Sequence, residues 1–578
     1  MTNEEIARVL REIGEYLAMQ EVPFKPRAYE RAALAVLETE QSVEDTYKER
    51  RLNGIKEIPG VGASIAEKIE ELVKTGKLRY YESLKKKIPV NLSSLGSVEG
   101  VGPKAIKRLY EELGVTNLLQ LERAAKEGKI RAIEGFGAKS EENILKSIEF
   151  FKKNKGRFVL GFVFDELEKI RSALLKAKGV SRVDIVGSAR RIKETIGDAD
   201  FLAIAQDSSS VMREFVSIPG VVHIYARGKT KSAIRLQNGM DVDLRVVPKE
   251  SYGAALNYFT GAKAHNIALR KTAANMGYKL NEYGLFNGKE KIAGADEKEI
   301  YNLLDLDYVE PEMREDKGEI ELAKARTLPK LVGYRALKGD LHAHTNWSDG
   351  ADSIEIMARA AKSAGLEYIA VTDHTKRLAI ANGLNEERVL EQIKKIDDIN
   401  RLFISRRYVF TILKGAECDI LKDGSLDLVD EVLVKLDVVG AAVHSHFNLT
   451  KDEQTKRIIR AIENPNVDIL FHPTGRLLNK RDGYDVDIDA VISAAKKTGT
   501  VLEIDGYPDR LDLKDDYIRK CIEANVKLSI DSDAHSASHI RYLKWGIAQA
   551  RRGWAKESDI INTKPLRQML KLLKNAKN

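Results

Sequence analysis

The 578-residue chain has only two cysteines, Cys418 and Cys521, far apart and in no C-x-x-C arrangement. A disulfide framework and a cysteine zinc finger are thereby excluded, and a reducing compartment, the cytoplasm, is expected. Long apolar runs are also missing, since no stretch approaches the ~20 residues that a membrane helix needs. The opening MTNEEIARVLREIG places acids where a secretory leader would have a basic and then an apolar segment. Secreted and membrane-spanning readings fall together. With 43% hydrophobic and 31% charged residues the chain has material for compact cores and is not broadly disordered. At roughly 100–200 residues per domain, its length implies about three to five domains.

The formal net charge of +8 is unevenly spread. Residues 51–200 carry 30 Lys and Arg against 21 Asp and Glu, which points to a polyanion partner such as nucleic acid. Histidine is skewed the other way, with eight of ten after residue 340. The two ends of the chain are therefore expected to do different chemistry.

Apolar residues at three- and four-residue spacing (Ile6, Val9, Leu10, Ile13) predict helices through residues 1–150, broken by glycine turns at 58–62, 98–102 and 133–137. Strand-like runs such as VDIVG, DFLAIA and MDVDLRVV occupy about 155–310. The charged stretch PEMREDKGEIELAKARTLPK (311–330) reads as an interdomain linker. From about 336, short apolar strands alternate with helical segments, the pattern of a parallel α/β fold.

IKEIPGVGASIAEKI, LGSVEGVGPKAIKRL and IRAIEGFGAKSEENI share one form: an apolar residue, G-x-G, then a helix. Glycines two apart allow a tight turn that presents backbone N–H groups at a helix N-terminus, where donors and dipole favour a phosphate without reading a base. One such turn could be a mere helix cap; three in a basic region argue for backbone contacts from Gly60, Gly62, Gly100, Gly102 and Lys104. The third copy departs most, with acids after its turn. The form resembles the helix-hairpin-helix motif.

In IVGSARRIKETIGDADFLAIA (185–205) a strand runs into Gly187-Ser188, where a glycine turn can bring backbone N–H to a phosphate. Arg190 and Arg191 follow, then a strand carrying Asp198 and Asp200. Residues two apart on a strand share a face, so both carboxylates can serve one pair of metals. Asp241-Val-Asp243 repeats that spacing, with Val242, Leu244 and Val246 as the buried face. An oxygen-only set suits Mg²⁺.

GSARRIKETIGDADFL, DVDLRVVP and YFTGAKAHN resemble the palm and nucleotide pocket of family X DNA polymerases, and the helical start resembles their lyase-type and fingers-side domains. That resemblance covers about residues 1–310. It implies Mg²⁺ or Mn²⁺ on Asp198, Asp200 and Asp243; triphosphate contacts from Gly187, Ser188, Arg191 and Arg157; and a sugar pocket of Tyr258, Phe259 and Gly261. Asn266 would meet the incoming base and Arg270 the template. The proline expected shortly after Arg157 is absent. Lys68 falls where some members form a Schiff base with a 5′-deoxyribose phosphate, with Lys25 and Tyr29 as phosphate contacts, although Ser64 replaces a basic residue expected there.

After 336, seven strand-like runs each end in a metal-binding residue type. In a parallel barrel all such ends point to one mouth, so the ligands converge there. Mixed imidazole and carboxylate suits Zn²⁺, Mn²⁺ or Fe²⁺. HAHTNWSDG, TDH, HP and DSDAH resemble the PHP (polymerase and histidinol phosphatase) domain. The resemblance covers about 336–575 and implies three metals on His342, His344, Asp349, His374, Glu417, His444, His472, Asp533 and His535. It also implies 3′-5′ exonuclease and related 3′-end processing. Glu503, Asp505, His446 and His539 lie outside that set and read as supporting or structural.

The expected architecture is multidomain: an all-α helix-hairpin-helix N-terminal region, an α+β nucleotidyltransferase palm and a C-terminal distorted (β/α)7 PHP barrel. Expected bounds are 1–90 and 91–155 for two helical DNA-binding domains and 156–245 for the palm. A nascent-base-pair-binding domain follows at 246–310, a linker at 311–335 and the barrel at 336–578. The expected activity is short-gap DNA repair synthesis by a monomer in the cytoplasm, with gapped or primer-template DNA and dNTPs as partners and no membrane. Lyase or AP-endonuclease activity is a further possibility. The rivals are a DNA-binding protein whose barrel hydrolyses a small phosphomonoester, and a template-independent nucleotidyltransferase.

Overall fold

The computed structural model describes all residues except 2, 40, 59, 97, 99, 155 and 575–578. Pro59 and Glu99 of the first two glycine turns thus lie outside the described residues. The chain divides into two units, one built from residues 1–155 and the other essentially from 156–578. No helix among the described residues is long and apolar enough to cross a membrane.

The first unit is helical. The spacing of Ile6, Leu10, Ile13 and Leu17 gives helix Asn3–Met19 one apolar stripe, and all four residues are buried. The three glycine turns share two backbone features among their described residues. The first glycine of each sits at positive φ (Gly60 +82°, Gly100 +79°, Gly135 +85°), a region open to glycine at little cost. Each turn closes with an i to i+3 bond: Val61 N–H to Ile58 O at 3.0 Å, Val101 to Val98 at 3.1 Å, and Phe136 to Ile133 at 3.0 Å. Helices Ala63–Thr75, Pro103–Leu113 and Ala138–Asn154 follow.

In the second unit, a five-stranded sheet consists of β1 (Val180–Ile185), β2 (Asp198–Ala205), β3 (Val221–Arg227), β4 (Lys231–Leu236) and β5 (Asp241–Val246), in the order β1-β2-β5-β4-β3. β2 and β5 run parallel and their neighbours antiparallel. Alternation in DVDLRV buries Val242, Leu244 and Val246 on one face and turns Asp241, Asp243 and Arg245 to the other. Helices Leu160–Leu175 and Ser208–Val216 contribute to the core beneath. A three-stranded sheet (278–281, 284–287, 290–293) and helices Tyr252–Thr260 and Lys263–Asn275 follow.

The remaining strands form a seven-stranded parallel barrel in sequence order: β6 (Gly339–Asp340), β7 (Tyr368–Val371), β8 (Thr411–Asp419), β9 (Val438–Ala442), β10 (Ile469–Leu470), β11 (Val501–Asp505) and β12 (Leu528–Asp531). β7, β9, β11 and β12 are buried throughout, as a parallel sheet covered on both faces requires. Among the described residues no strand ladder joins β12 to β6, although Ala343 and Ala534 form an isolated parallel bridge just beyond their ends. Side chains bridge that gap: Asp531 accepts from Leu341 N–H at 2.8 Å, and Asp340 accepts from Ser532 N–H at 3.1 Å.

The stretch read as an interdomain linker carries several buried charged residues. Arg314 is 0% exposed and donates to Glu297 at 2.6 Å and to Val309 O at 2.9 Å. Glu319 is equally buried against His265 at 2.7 Å, and Glu312 takes Arg551 of the barrel at 2.8 Å. A charge-rich segment looks like a tether in sequence, but here several of its charges meet partners far away in the chain.

Candidate active sites

Strand register sets the palm carboxylates side by side: Asp198 is paired with Asp241, and Asp200 with Asp243, across β2 and β5. Burial and the neighbouring Asp198 and Asp243 push Asp200 up to about 6. The two β5 carboxylates differ in their partners. Asp241 is held bidentately by Arg235, 2.8 Å to each oxygen, whereas Asp243 meets Lys231 Nζ at 2.8 Å. Such a repelling set fits divalent cations, although the palm carboxylates do not close to the 4.8 Å spacing found in the barrel. Gly187 stands against them: its φ is +65° and a Cβ there would lie 2.7 Å from Asp200 Oδ2, so no side chain fits.

The remaining pocket residues are placed as follows. Arg191 spends Nε on Glu315 at 3.1 Å and part of Nη1 on Thr260 O. Arg157 is held by Thr195 at 2.8 and 2.6 Å. Tyr258 is 38% exposed and meets Phe259 edge-to-face at 5.1 Å; Phe259 lies under Arg245 at 4.7 Å. Asn266 turns its Nδ2 to Tyr258 O at 2.7 Å, and Arg270 is exposed. Among the described residues, neither side chain bonds to a partner beyond its own helix and the helix before it.

In the first unit, Lys68 Nζ donates to Ser64 O at 3.0 Å and Oγ at 2.9 Å, and lies 5.2 Å from the Tyr80 ring centroid. Burial and Lys25 hold its ammonium below the usual range, while Glu67 opposes them. Burial, together with Tyr80, pushes Tyr29 up to about 12. Gly62 and Gly102 precede helices with no side-chain cap. The third turn is occupied instead, with Arg108 donating to Glu134 O at 2.7 Å beside Gly135. Of the acids that set its sequence apart, Glu141 is buried and accepts from the N–H groups of Ile130 and Arg131, each at 3.0 Å.

At the barrel mouth the expected residues converge. Three groups have ligand atoms all within 4.8 Å of one another: His344, Asp349, His374 and His535; His342, His344 and Asp533; and His374, Glu417 and His444. His472 joins through Nε2, 2.7 Å from Glu417 Oε1. Many of these atoms are buried without a hydrogen-bond partner: Nδ1 of His344, His374 and His472, both ring nitrogens of His444, and Oε2 of Glu417. His374 Nδ1 lies 2.6 Å from that Oε2 without hydrogen-bond alignment. Lone pairs that converge on common points and miss one another fit cations as the shared partner. Burial and the neighbouring His535 and His374 hold His344 down to about 3. For His444, Glu417 and Asp419 overcome burial and raise it to about 9.

A relative from Bacillus subtilis, "DNA polymerase/3′-5′ exonuclease PolX", is 36% identical over 580 residues, covering 99% of this chain and all of the relative. The chain belongs to the PolX group of family X DNA polymerases. Family models agree piecewise: helix-hairpin-helix domain at 1–78, SAM-like helix-hairpin-helix tandem at 92–149, DNA polymerase beta thumb at 255–315, and PHP domain at 340–564. The barrel alone is similar to proteins described as probable phosphatases. One from Thermoanaerobacter sp. is 31% identical over 39% of this chain and 89% of the relative, and one from Acetivibrio thermocellus is 30% identical over 34% and 78%.

In this PolX-group chain, several residues around the barrel cluster escaped the sequence reading or were left without a role by it. Glu503 accepts from His342 Nδ1 at 2.7 Å and from His472 N–H at 2.6 Å, and so orients two of the histidines. Asp419 takes His444 N–H at 3.1 Å, and His539 Nδ1 takes His535 N–H at 3.3 Å. Arg510 brings a cation 3.1 Å from Asp533. Asp373 accepts from Thr345 Oγ1, Ser348 Oγ and Gln392 and so anchors the loop carrying Asp349. The signal for Glu503 was its place at a strand end; Arg510, in a loop, gave none. His446 is exposed and stays outside the cluster.

Proposed function

We propose that this chain fills short gaps in DNA by template-directed nucleotidyl transfer at the palm and processes 3′ ends at the barrel. The observation that carries the reading is the coexistence, on one chain, of paired D-x-D strands in parallel register and a mouth of unpartnered imidazoles and carboxylates. Asp198, Asp200 and Asp243 would hold Mg²⁺ or Mn²⁺. The nine barrel residues, His342, His344, Asp349, His374, Glu417, His444, His472, Asp533 and His535, would hold up to three ions of Zn²⁺, Mn²⁺ or Fe²⁺ type. When bound, such ions neutralise phosphate charge and ease deprotonation of the attacking oxygen.

The chain's own groups supply the rest. Gly187, lacking a side chain, lets a triphosphate approach the backbone beside Asp200. Arg191 keeps three N–H donors, one on Nη1 and two on Nη2, for its oxygens. Tyr258 and Phe259 would line the sugar, Asn266 would meet the base, and Arg270 the template. The capless turns at Gly62 and Gly102 would grip DNA phosphates. In extension the primer 3′-oxygen bonds to the α-phosphorus as the bond to pyrophosphate breaks. In shortening, water oxygen bonds to phosphorus as the terminal nucleotide leaves. The reading places a monomeric enzyme in the cytoplasm, serving base excision repair.

A second reading, 5′-deoxyribose-phosphate lyase activity, is favoured by Lys68, whose amine is partly buried, lowered in basicity and near Lys25. Borohydride trapping on incised abasic DNA should cross-link the wild type and not Lys68→Ala.

The deciding experiment follows a 5′-labelled strand in a one-nucleotide-gapped duplex, with and without dNTPs, in Mg²⁺ or Mn²⁺. Asp198→Ala/Asp200→Ala should lose extension alone and His344→Ala shortening alone, each by at least about a thousandfold, a loss typical of removing metal-dependent catalysis. If neither activity depended on those residues, the DNA-binding scaffold with a small-ester phosphatase would replace this reading. Untemplated tailing would favour the transferase.

A further inference from the structure

The loop that links the palm's glycine turn to β2 is gripped by the barrel. Arg552 closes the barrel helix Leu543–Arg552 and is 2% exposed. Its Nη1 donates to Arg191 O at 3.0 Å and to Glu315 at 3.3 Å, and its Nη2 to Asp515 at 2.7 Å. Glu315 is also the carboxylate that receives Arg191 Nε at 3.1 Å, so one barrel guanidinium fixes both the backbone of Arg191 and the acid that aims its side chain. One turn earlier on the same helix face, Gln549 donates to Glu194 at 2.7 Å. Arg476, in the loop after β10, holds the same Glu194 at 2.6 and 3.3 Å and donates to Leu511 O, next to Arg510 of the barrel mouth. Glu194 is thus embraced by two barrel side chains, and Arg191 by a third through Glu315.

We infer that Arg552 is a positioning residue for the polymerase reaction: the barrel, by clamping Arg191 and Glu315, pre-orients the free edge of the Arg191 guanidinium toward the triphosphate. This rests on the reading of Arg191 as a triphosphate contact. The geometry supports orientation over sequestration, because Glu315 and Thr260 O consume only two of the five Arg191 donors, and its Nη2 meets no protein partner among the described residues. Without the clamp, a flexible cation must be ordered anew each time a nucleotide binds, a cost that falls on nucleotide affinity before it falls on the chemical step.

The test uses full-length protein on the gapped duplex and separates KM for dNTP from kcat. Arg552→Met should raise KM about tenfold or more, the range for losing a charge-assisted bond, with kcat less affected. Arg552→Lys, which keeps the charge and one donor direction, should recover part of that loss. Shortening of a single-stranded 3′ end in Mn²⁺, measured on the same preparations, should stay at the wild-type rate and reports that the barrel is folded. Arg191→Ala is the control for the underlying reading. If Arg191→Ala leaves KM unchanged, the triphosphate assignment fails. If it raises KM while Arg552→Met, still active in shortening, does not, the assignment stands and the clamp is overturned. Should Arg552→Met lose shortening as well, Glu315→Gln probes the same clamp with a smaller change. A rise of KM sustains it, and an unchanged KM overturns it.

Discussion

In the palm, Asp243 is 32% exposed and leans on Lys231, and Asp241 is 43% exposed and leans on Arg235. In the barrel, His342, His344 and Glu417 are at most 1% exposed and ring nitrogens stand without donors or acceptors. The palm site lies on an open sheet face where surface cations balance the carboxylates until a substrate arrives. Its oxygen ligands suit ions that keep several waters and share substrate phosphates. The barrel site gathers side chains from several strand ends and loops, and many of their polar atoms meet no hydrogen-bond partner, an arrangement that fits ions held as part of the folded state. One centre is completed by what it binds, and the other comes nearly complete.

Chelation tests that contrast most severely. Gel filtration in metal-free buffer should leave several tightly held ions per chain by elemental analysis, abolished in His344→Ala/His374→Ala and unchanged in Asp198→Ala/Asp200→Ala. Stripping them with chelator should abolish shortening and lower the melting temperature. A ligand at a thousandfold excess over its Kd contributes about 4 kcal/mol. Extension should return at once when Mg²⁺ alone is restored. A chain that retains no ion and melts unchanged after chelation would erase the distinction.

Next in size is Glu503→Gln. Glu503 touches two of the barrel histidines and lies outside the converging groups, so its loss should weaken metal retention or shortening by about ten- to a hundredfold, the range for an orienting partner, and leave extension intact. An unchanged shortening rate would demote it to a packing role.

Buried charge near the 311–335 stretch follows a different rule: Glu297 is met by two arginines and Glu319 by His265. Glu297 is 6% exposed between Arg190 and Arg314, and although burial pushes the other way, the two arginines hold it down to about 2. Its folded value lies below its ordinary one near 4.5, so its stabilisation is fully present above about pH 4.5 and is lost as pH falls toward 2. Glu297→Gln should cost about 3 kcal/mol at pH 7 in urea melts, and that gap from wild type should narrow below about pH 4.5. A gap that stays constant from pH 7 to 3 would remove the ion pair as its cause.

The barrel was the more legible of the two regions, and the reason is physical. Most of the expected ligands sit at or just past the end of an apolar strand, and a parallel barrel brings those ends to one mouth, so a one-dimensional pattern carries three-dimensional information. The D-x-D strands were readable for a similar reason, since a period of two fixes a face. What stayed hidden has no period. Arg190 finds Glu297 across 107 residues and Arg552 finds Arg191 across 361, and a buried pair leaves no local mark on either partner. The stretch at 311–335 was read as a linker from its charge density, which gave no sign that Arg314 and Glu319 would be fully buried. Asn266 shows a different limit: its place after YFTG was readable, but its Nδ2 bond to Tyr258 O was not.

The smallest expected effect decides between two carboxylates that the sequence could rank only by resemblance. Asp241 and Asp243 share a face of β5, but register sets Asp243 beside the half-buried Asp200 and Asp241 beside the exposed Asp198. Arg235 already holds both oxygens of Asp241 and keeps that carboxylate below its ordinary range, a stable pairing that an ion would have to break. Lys231 touches one oxygen of Asp243 and leaves the other free for an ion. Asp241→Asn should therefore change extension by no more than a few-fold, and Asp243→Asn should reduce it by about a hundredfold or more, as losing a metal-coordinating oxygen does. Equal losses would mean that Arg235 releases Asp241 when nucleotide binds. The palm would then gather a fourth carboxylate on demand, which would widen its contrast with the prebuilt barrel.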